Sequence, residues 1–199
     1  MACENSIIVS RVDADNHRSF WACKIIEPQE HIVLQASAWA IDNNLIIADT
    51  TGAITCRKIG DQVLQQWSPQ QWPDDNVEVV DMQAHPQDGR FLVSNNANRV
   101  TMFDARQPST VTTLACEGLR NQLAWSDDGM LIATSGNKLP MNMTHVFDVR
   151  KLPKPYMSQK HVRLHPAMAR HLAFCRIRGQ HYLLNNDCFD ERHVCQINP

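Results

Sequence analysis

The strongest constraint on the fold of this chain is a strand–turn–strand pattern that recurs after 40 residues. Asp88-Gly89 and Asp128-Gly129 each stand directly before a short apolar run, at 90–94 and 130–134. Glycine in such a turn provides the positive φ that a tight hairpin needs. Further short apolar runs lie at 6–10, 45–48 and 181–184. These runs are typical of β-strands, and no window has convincing helical periodicity, so we predict an all-β chain of repeated units.

Two sets of positions support the same repeat. Residues just before the turns lie at intervals of 46, 40 and 49, and residues on the strand that ends each unit lie 35 to 48 positions apart. These periods are close to the ~40–45 residues typical of a propeller blade. The first set is Trp39, His85, Trp125 and Phe174, and the second is Trp21, Cys56, Phe103, Phe147 and Cys195.

Three segments with this spacing resemble the WD-repeat family. Residues 124–136 (Ala-Trp-Ser-Asp-Asp-Gly-Met-Leu-Ile-Ala-Thr-Ser-Gly) are similar to the family's strand–turn–strand core. Residues 102–106 (Met-Phe-Asp-Ala-Arg) and 146–150 (Val-Phe-Asp-Val-Arg) resemble its closing Trp-Asp pair, with Phe in place of Trp. The resemblance covers nearly the whole chain and is more specific over 76–150 than elsewhere. It implies a β-propeller of four-stranded blades.

The histidine of the family's Gly-His pair has two candidate positions. His165 lies nine residues before Phe174, where that histidine would fall, and Cys116 holds the corresponding place before Trp125. The chain contains neither a Trp-Asp nor a Gly-His dipeptide. The resemblance therefore implies that most blades lack the family's internal His-Asp-Ser/Thr-Trp hydrogen-bond network.

We predict an all-β, WD-repeat-type β-propeller with about four to five four-stranded blades. Residues 5–25 have the pattern of the second half of a blade. An open ring exposes strand edges and apolar blade faces. We therefore expect the chain to be a piece of a longer propeller or to complete a ring with a partner chain, with closure as a small ring as the alternative. The predicted units of this one propeller-like domain are 1–28 (a partial blade), 29–75, 76–115, 116–160 and 161–199.

The composition argues against an enzyme and against a cofactor. Seven glycines leave no G-x-G-x-x-G or G-x-x-x-x-G-K-[ST] phosphate loop, and no G-x-S-x-G nucleophile elbow occurs. Seven cysteines without a C-x-x-C pair argue against a disulfide framework and against a zinc site. Cys188, His193 and Cys195 carry zinc-type ligands, but their spacing matches no standard module. We predict no catalytic residues, no cofactor and no metal.

Charge and hydropathy limit the partners. Nineteen basic and 21 acidic residues give a formal net charge of −2, so no overall positive field attracts nucleic acid. No apolar run approaches the roughly 20 residues of a membrane-spanning helix, and we expect no membrane insertion. The first residues have no secretory signal pattern, so we expect a cytoplasmic or nuclear location, or both.

A repeated Phe-Asp-x-Arg box provides the first candidate binding site. It resembles the Trp-Asp-x-Arg box of WD-repeat substrate receptors of a cullin-type ubiquitin ligase, in which the Arg contacts the ligase's propeller adaptor. The resemblance implies that Arg106 and Arg150 make this contact. The alternative is that each Asp caps the turn that leaves the strand. The residues of the two boxes are Phe103, Asp104, Arg106, Phe147, Asp148 and Arg150.

Two further surfaces are candidates. Trp67 and Trp72 lie on a proline-containing linker, where they either anchor a partner or pack beneath the loop. Between Asp148 and Asp187 the chain has no acidic residue, so this basic sector either docks an acidic protein face, RNA or a histone-type partner, or is a solvated face. Its cations are Arg150, Lys151, Lys154, Lys160, Arg163, Arg170, Arg176 and Arg178.

We predict a non-catalytic scaffold or adaptor that binds other protein subunits within a larger intracellular complex. The first alternative is the ubiquitin-ligase substrate receptor that the boxes resemble. The second is RNA or histone recognition by the basic sector. The sector contains no aromatic-interleaved basic run and no RNA-binding signature, so nucleic acid is the less expected partner.

Overall fold

A computed structural model gives the fold of the chain. It describes residues 8–11, 21–24, 34–39, 44–49, 52–58, 63–67, 78–107, 109–116, 119–138, 141–162, 169–187 and 192–197.

Almost all of the regular structure in these residues is β-strand. A short 3₁₀ helix at Val149–Lys151 follows the thirteenth strand. The strands are β1 (Ile8–Arg11), β2 (Trp21–Lys24), β3 (Leu34–Trp39), β4 (Asn44–Asp49), β5 (Ile54–Lys58), β6 (Val63–Trp67), β7 (Val79–Ala84), β8 (Arg90–Asn95), β9 (Val100–Asp104), β10 (Thr110–Leu114), β11 (Leu119–Trp125), β12 (Leu131–Lys138), β13 (Met141–Asp148), β14 (Met157–Val162), β15 (Ala169–Ile177), β16 (Gln180–Asp187) and β17 (Arg192–Ile197).

The strands form antiparallel sheets in chain order. Three sheets have four strands each, namely β3–β6, β7–β10 and β11–β14. Within the described residues, the β15–β17 sheet has three strands and the β1–β2 sheet has two. Each strand pairs with its neighbours in the sequence, so every sheet is a simple meander. This is the expected consequence of short strands joined by short turns.

Consecutive sheets pack face to face around their first strands. β3 contacts β7, β7 contacts β11, and β11 contacts β15. An apolar cluster fills each of the three spaces between these sheets. The middle strands β8 and β9 are buried on both faces, whereas the fourth strand β10 is largely exposed. This arrangement of radially stacked meanders is a β-propeller.

The predicted glycine turns differ from each other. Gly129 has φ +69°, which confirms the predicted left-handed turn between β11 and β12. Gly89 does not have a positive φ, so that prediction is wrong for the β7–β8 turn. There the His85 ring accepts hydrogen bonds from the backbone N–H groups of Gln87 and Asp88, and the Asp88 carboxylate accepts one from the Arg90 N–H. Side-chain acceptors therefore hold this turn without a left-handed glycine.

The predicted closing strand is the third strand of its sheet. Phe103 lies on β9 and Phe147 on β13, and a fourth strand follows each of them. Cys56 and Phe103, which the repeat alignment treats as equivalent, lie on opposite faces of their sheets. Cys56 packs onto the following β7–β10 sheet, whereas Phe103 packs onto the preceding β3–β6 sheet, and both belong to the same apolar cluster. Successive residues of a strand point to opposite faces, so an alignment error of one residue reverses the face.

Candidate functional site

The first Asp–Arg pair lies directly after β9. Oδ1 of Asp104 accepts hydrogen bonds from the Arg106 backbone N–H (3.0 Å) and from its Nε (2.8 Å). Oδ2 accepts a third from Arg106 Nη2 at 2.6 Å. The Asp thus caps the turn that leaves the strand and also grips the guanidinium through two parallel hydrogen bonds. Such bidentate pairs fix both the position and the orientation of the arginine.

The second pair repeats this geometry after β13. Oδ1 of Asp148 accepts from the Arg150 backbone N–H (2.9 Å) and Nε (2.8 Å), and Oδ2 accepts from Nη2 (2.6 Å). Asp148 is also the N-cap of the 3₁₀ helix Val149–Lys151. The predicted capping role of the Asp is confirmed in both boxes.

In both pairs the anion is buried and the cation is exposed. The side chains of Asp104 and Asp148 are 8% and 3% exposed, whereas those of Arg106 and Arg150 are 68% and 62% exposed. The hydrogen bond from Arg150 is the main reason that the pKa of Asp148 falls to about 2. The hydrogen bond from Arg106 lowers the pKa of Asp104 in the same way. Both carboxylates are therefore ionised at neutral pH, and each presents a fixed cation to solvent.

The two pairs share one edge of the propeller. The carbonyl of Gly89 accepts a hydrogen bond from the Ala105 N–H, and that of Met130 accepts one from the Val149 N–H. These bonds place the turn after each third strand beside the turn between the first and second strands of the same sheet. We call the edge formed by 85–90, 104–107, 126–130, 148–156 and 176–181 the Asp–Arg face.

Part of the basic sector joins this face. Lys151 and Lys154 are exposed in the connection between β13 and β14. Arg176 and Arg178 are exposed at the turn between β15 and β16. Arg163 lies outside the described residues, and only the backbones of Lys160 and Arg170 are described, so the exposure of these three side chains is not given.

Three aromatic candidates are core residues. Phe103 and Phe147 are fully buried between sheets. The Trp67 ring is also fully buried and packs edge-on against Phe91, with centroids 5.2 Å apart, and against Phe103 at 5.9 Å. The prediction that these rings contact a partner is therefore wrong, because all three are buried in the core. Phe103 and Phe147 directly precede Asp104 and Asp148 on their strands. Trp72 lies outside the described residues.

The predicted histidine positions and soft ligands add little to the site. His165 and Cys188 lie outside the described residues, as does the side chain of His193. Cys116 accepts a hydrogen bond from Thr134 Oγ1 at 3.7 Å, and burial raises its pKa to about 11. Cys116 is thus a protonated thiol at neutral pH. Cys195 is a free, half-buried cysteine.

Two contacts between sheets on this face are not among the residues predicted from the sequence. His85 Nε2 lies 3.2 Å from the carbonyl oxygen of Gly129, and its ring meets Trp125 edge-on at 4.7 Å. Burial lowers the pKa of His85, so the ring is neutral at pH 7. One sheet further on, His181 Nε2 lies 3.1 Å from Asp128 Oδ2. The signal that could have predicted these contacts is the roughly 40-residue period, because residues one period apart lie beside each other in adjacent sheets.

The second of these contacts belongs to a small acidic group. Asp127, Asp128 and His181 bring three potential ligand atoms within 4.8 Å of one another. Burial raises the pKa of Asp128, but hydrogen bonds from the Ser126 hydroxyl, the Met130 N–H and the His181 ring outweigh it and lower the pKa overall. The Asp128 carboxylate thus has hydrogen-bond partners in its own turn and in the next sheet, and its role is to link the two sheets.

Comparisons with known proteins agree with the geometry. The chain is all-β and has the fold of a WD-repeat-type β-propeller. It is similar to a chain in the crystal structure of the mitotic checkpoint complex, with a TM-score of 0.73 and 19% identity over 98% of this chain. It is also similar to the computationally designed Ika4 protein, with a TM-score of 0.63 and 12% identity. That match covers 87% of this chain and 96% of the designed one.

These similarities define the fold. The chain spans 60% of the length of the checkpoint-complex chain that it matches. No protein-family model matches the sequence, and no curated protein matches it. Among the described residues no helix is long and apolar enough to cross a membrane.

Proposed function

We propose that this protein is a non-catalytic scaffold that binds protein partners through the Asp–Arg face. The observation that carries the proposal is the repetition of one arrangement in consecutive sheets: a buried carboxylate that holds an exposed arginine by two side-chain hydrogen bonds. An arginine that is already fixed loses little conformational freedom on binding. Two such arginines on one face therefore favour recognition of another protein.

The charge around the pairs indicates the chemistry of the partner. Lys151 and Lys154 are exposed next to Arg150, and Arg176 and Arg178 are exposed on the same face. We infer that the partner offers carboxylates to this face. Complementary charge accelerates association and aligns the two surfaces. The structural neighbour from the mitotic checkpoint complex is itself a chain of a complex, which supports a role of this kind.

A finer proposal is that the partner is the propeller adaptor of a cullin-type ubiquitin ligase. Two boxes in consecutive repeats favour it, because both Arg106 and Arg150 have the exposed, fixed guanidinium that such a contact needs. In this case the protein would be a substrate receptor. The general proposal does not depend on this finer one.

Affinity purification with mass spectrometry tests both proposals. Wild type is compared with Arg106→Ala/Arg150→Ala and with Arg106→Lys/Arg150→Lys, which keeps the charge but loses the bidentate fork. Arg99→Ala, at the opposite edge of the β7–β10 sheet, is the matched control. We expect partners that are lost from the Ala variant, weakened in the Lys variant and retained by the control. An adaptor and a cullin among them would establish the receptor role, and identical partners in all variants would refute binding through the Asp–Arg face.

A further inference from the structure

The β15–β17 sheet has one covered face and one uncovered face. Leu183 and Ile197 are buried against the β11–β14 sheet. On the other face Leu184 and Val194 are 38% and 61% exposed, and they are direct partners in the register of β16 and β17. Ala173, the register partner of Leu184 on β15, is exposed as well. A row of exposed aliphatic side chains across three strands is an unusual surface for a protein in water.

The same positions are covered in the β11–β14 sheet. There the pair that corresponds to Leu184 and Val194 is Ala133 and Val146, which are partners in the register of β12 and β13. Both are fully buried. What covers them is the adjacent face of the β15–β17 sheet, through Leu183 and Ile197.

The preceding sheet follows the same rule. Leu92 and Met102 are the corresponding pair on β8 and β9, and both are buried. They are covered by Ile132 and Phe147, which lie on the adjacent face of the β11–β14 sheet. In each case a further antiparallel sheet covers this face, and large apolar side chains on its second and third strands make the contact. The uncovered face thus continues an interface that the chain already forms repeatedly.

Within the described residues, the outer face of the first four-stranded sheet of a second copy is not free to cover this face. In a second copy, the β3–β6 sheet is the first four-stranded sheet, and Ile46 on one of its faces packs against the β7–β10 sheet. Only the opposite face of β3–β6 would be left to contact the β15–β17 sheet. That opposite face carries Leu45 and Ile47, because side chains alternate along a strand. Both are already buried, at 3% and 2% exposure, so this face is covered within each molecule.

We propose that the uncovered face of the β15–β17 sheet binds a propeller-type antiparallel sheet of another protein. This sheet presents large aliphatic or aromatic side chains at the positions that Phe147 and Ile132 occupy in β13 and β12. The proposal does not depend on the Asp–Arg face.

Site-specific photo-crosslinking in cells tests this proposal on the full chain. p-Benzoylphenylalanine replaces Val194, and the control carries it in place of Val111, an exposed valine on β10. We expect the first position to give a crosslinked peptide that maps to a β-strand of a propeller in another protein. The Arg106→Ala/Arg150→Ala variant should give the same crosslink, which separates this surface from the Asp–Arg face.

Charge substitution provides the second arm. Leu184→Lys/Val194→Lys would bury two ammonium groups in the contact, so we expect the recovery of the crosslinked partner to fall about tenfold or more. Because both side chains are exposed in the isolated chain, its thermal unfolding should change little. The proposal is overturned if Val194 crosslinks only to a second copy of this chain, only to segments outside a propeller sheet, or to nothing above the Val111 control. Unchanged recovery of the partner by the double-lysine variant would overturn it as well.

Discussion

Replacing Gly129 by alanine places a methyl group into the contact between two sheets. The Cβ of the new residue would lie 2.1 Å from Nε2 and 2.3 Å from Cε1 of His85, closer than real Cβ atoms approach. The His85 ring has little room to retreat, because it is buried and meets Trp125 edge-on. Gly129 also has φ +69°, which an L side chain disfavours.

The loss of stability in Gly129→Ala is the sum of a backbone cost and a steric cost. The left-handed backbone costs an alanine about 1–2 kcal/mol. Forcing a methyl group into a filled contact costs about 1–3 kcal/mol more. We therefore expect Gly129→Ala to lower the free energy of unfolding by about 2–5 kcal/mol. Gly179→Ala is the matched control, because Gly179 has φ +81° but its Cβ would meet nothing within 4 Å, so only the backbone term of about 1–2 kcal/mol applies.

Urea unfolding of the four members of a mutant cycle measures the clash. In a His85→Ala background the obstructing ring is absent, so Gly129→Ala should then cost no more than Gly179→Ala does. The coupling between the two sites equals the steric term and should be about 1–3 kcal/mol. Equal losses for Gly129→Ala and Gly179→Ala in the wild-type background would refute this account of the contact between the sheets.

Three further perturbations follow from the same structure. The pKa of Asp148 is about 2 in the folded chain and about 3.9 in the unfolded one, so its contribution is present above pH 4 and is lost as the pH falls toward 2; urea midpoints at pH 5 and pH 2.5 should differ less in Asp148→Asn than in wild type. Asn185→Ala removes two buried hydrogen bonds to hydroxyls of the β11–β14 sheet and should cost about 1–3 kcal/mol by urea unfolding, with an unchanged midpoint as the contrary result. Lys151→Ala/Lys154→Ala should slow association with a purified partner at low salt and have little effect at high salt, which stopped-flow rates at two salt concentrations would show; an equal effect at both would speak against electrostatic attraction.

Much of the fold could be predicted from the sequence, because the repeat is a property of turn chemistry and strand length. The spacing of Gly89 and Gly129 located two of the hairpins even though only Gly129 has the predicted backbone conformation. Strand alternation was harder to read where both faces are buried. Cys56 and Phe103 were therefore aligned although they point to opposite faces of their sheets.

The candidate site could be predicted only in part. The capping role of Asp104 and Asp148 depends on residues two positions apart, so local sequence was enough to predict it. The burial of Trp67 depends on Phe91 and Phe103 of the next sheet, and local sequence contains no information on such contacts. The uncovered face of the β15–β17 sheet likewise depends on which sheet packs against which, and local sequence contains no information on that packing.

The most direct test of the central claim is the equilibrium dissociation constant for a purified partner of the Asp–Arg face. It should be measured for wild type, for Arg106→Ala/Arg150→Ala and for Arg99→Ala. Central arginines of an interface contribute strongly, so we predict that the double variant raises Kd about 100-fold. Arg99→Ala should leave Kd close to the wild-type value. Equal dissociation constants for all three proteins would contradict the claim that the Asp–Arg face binds the partner.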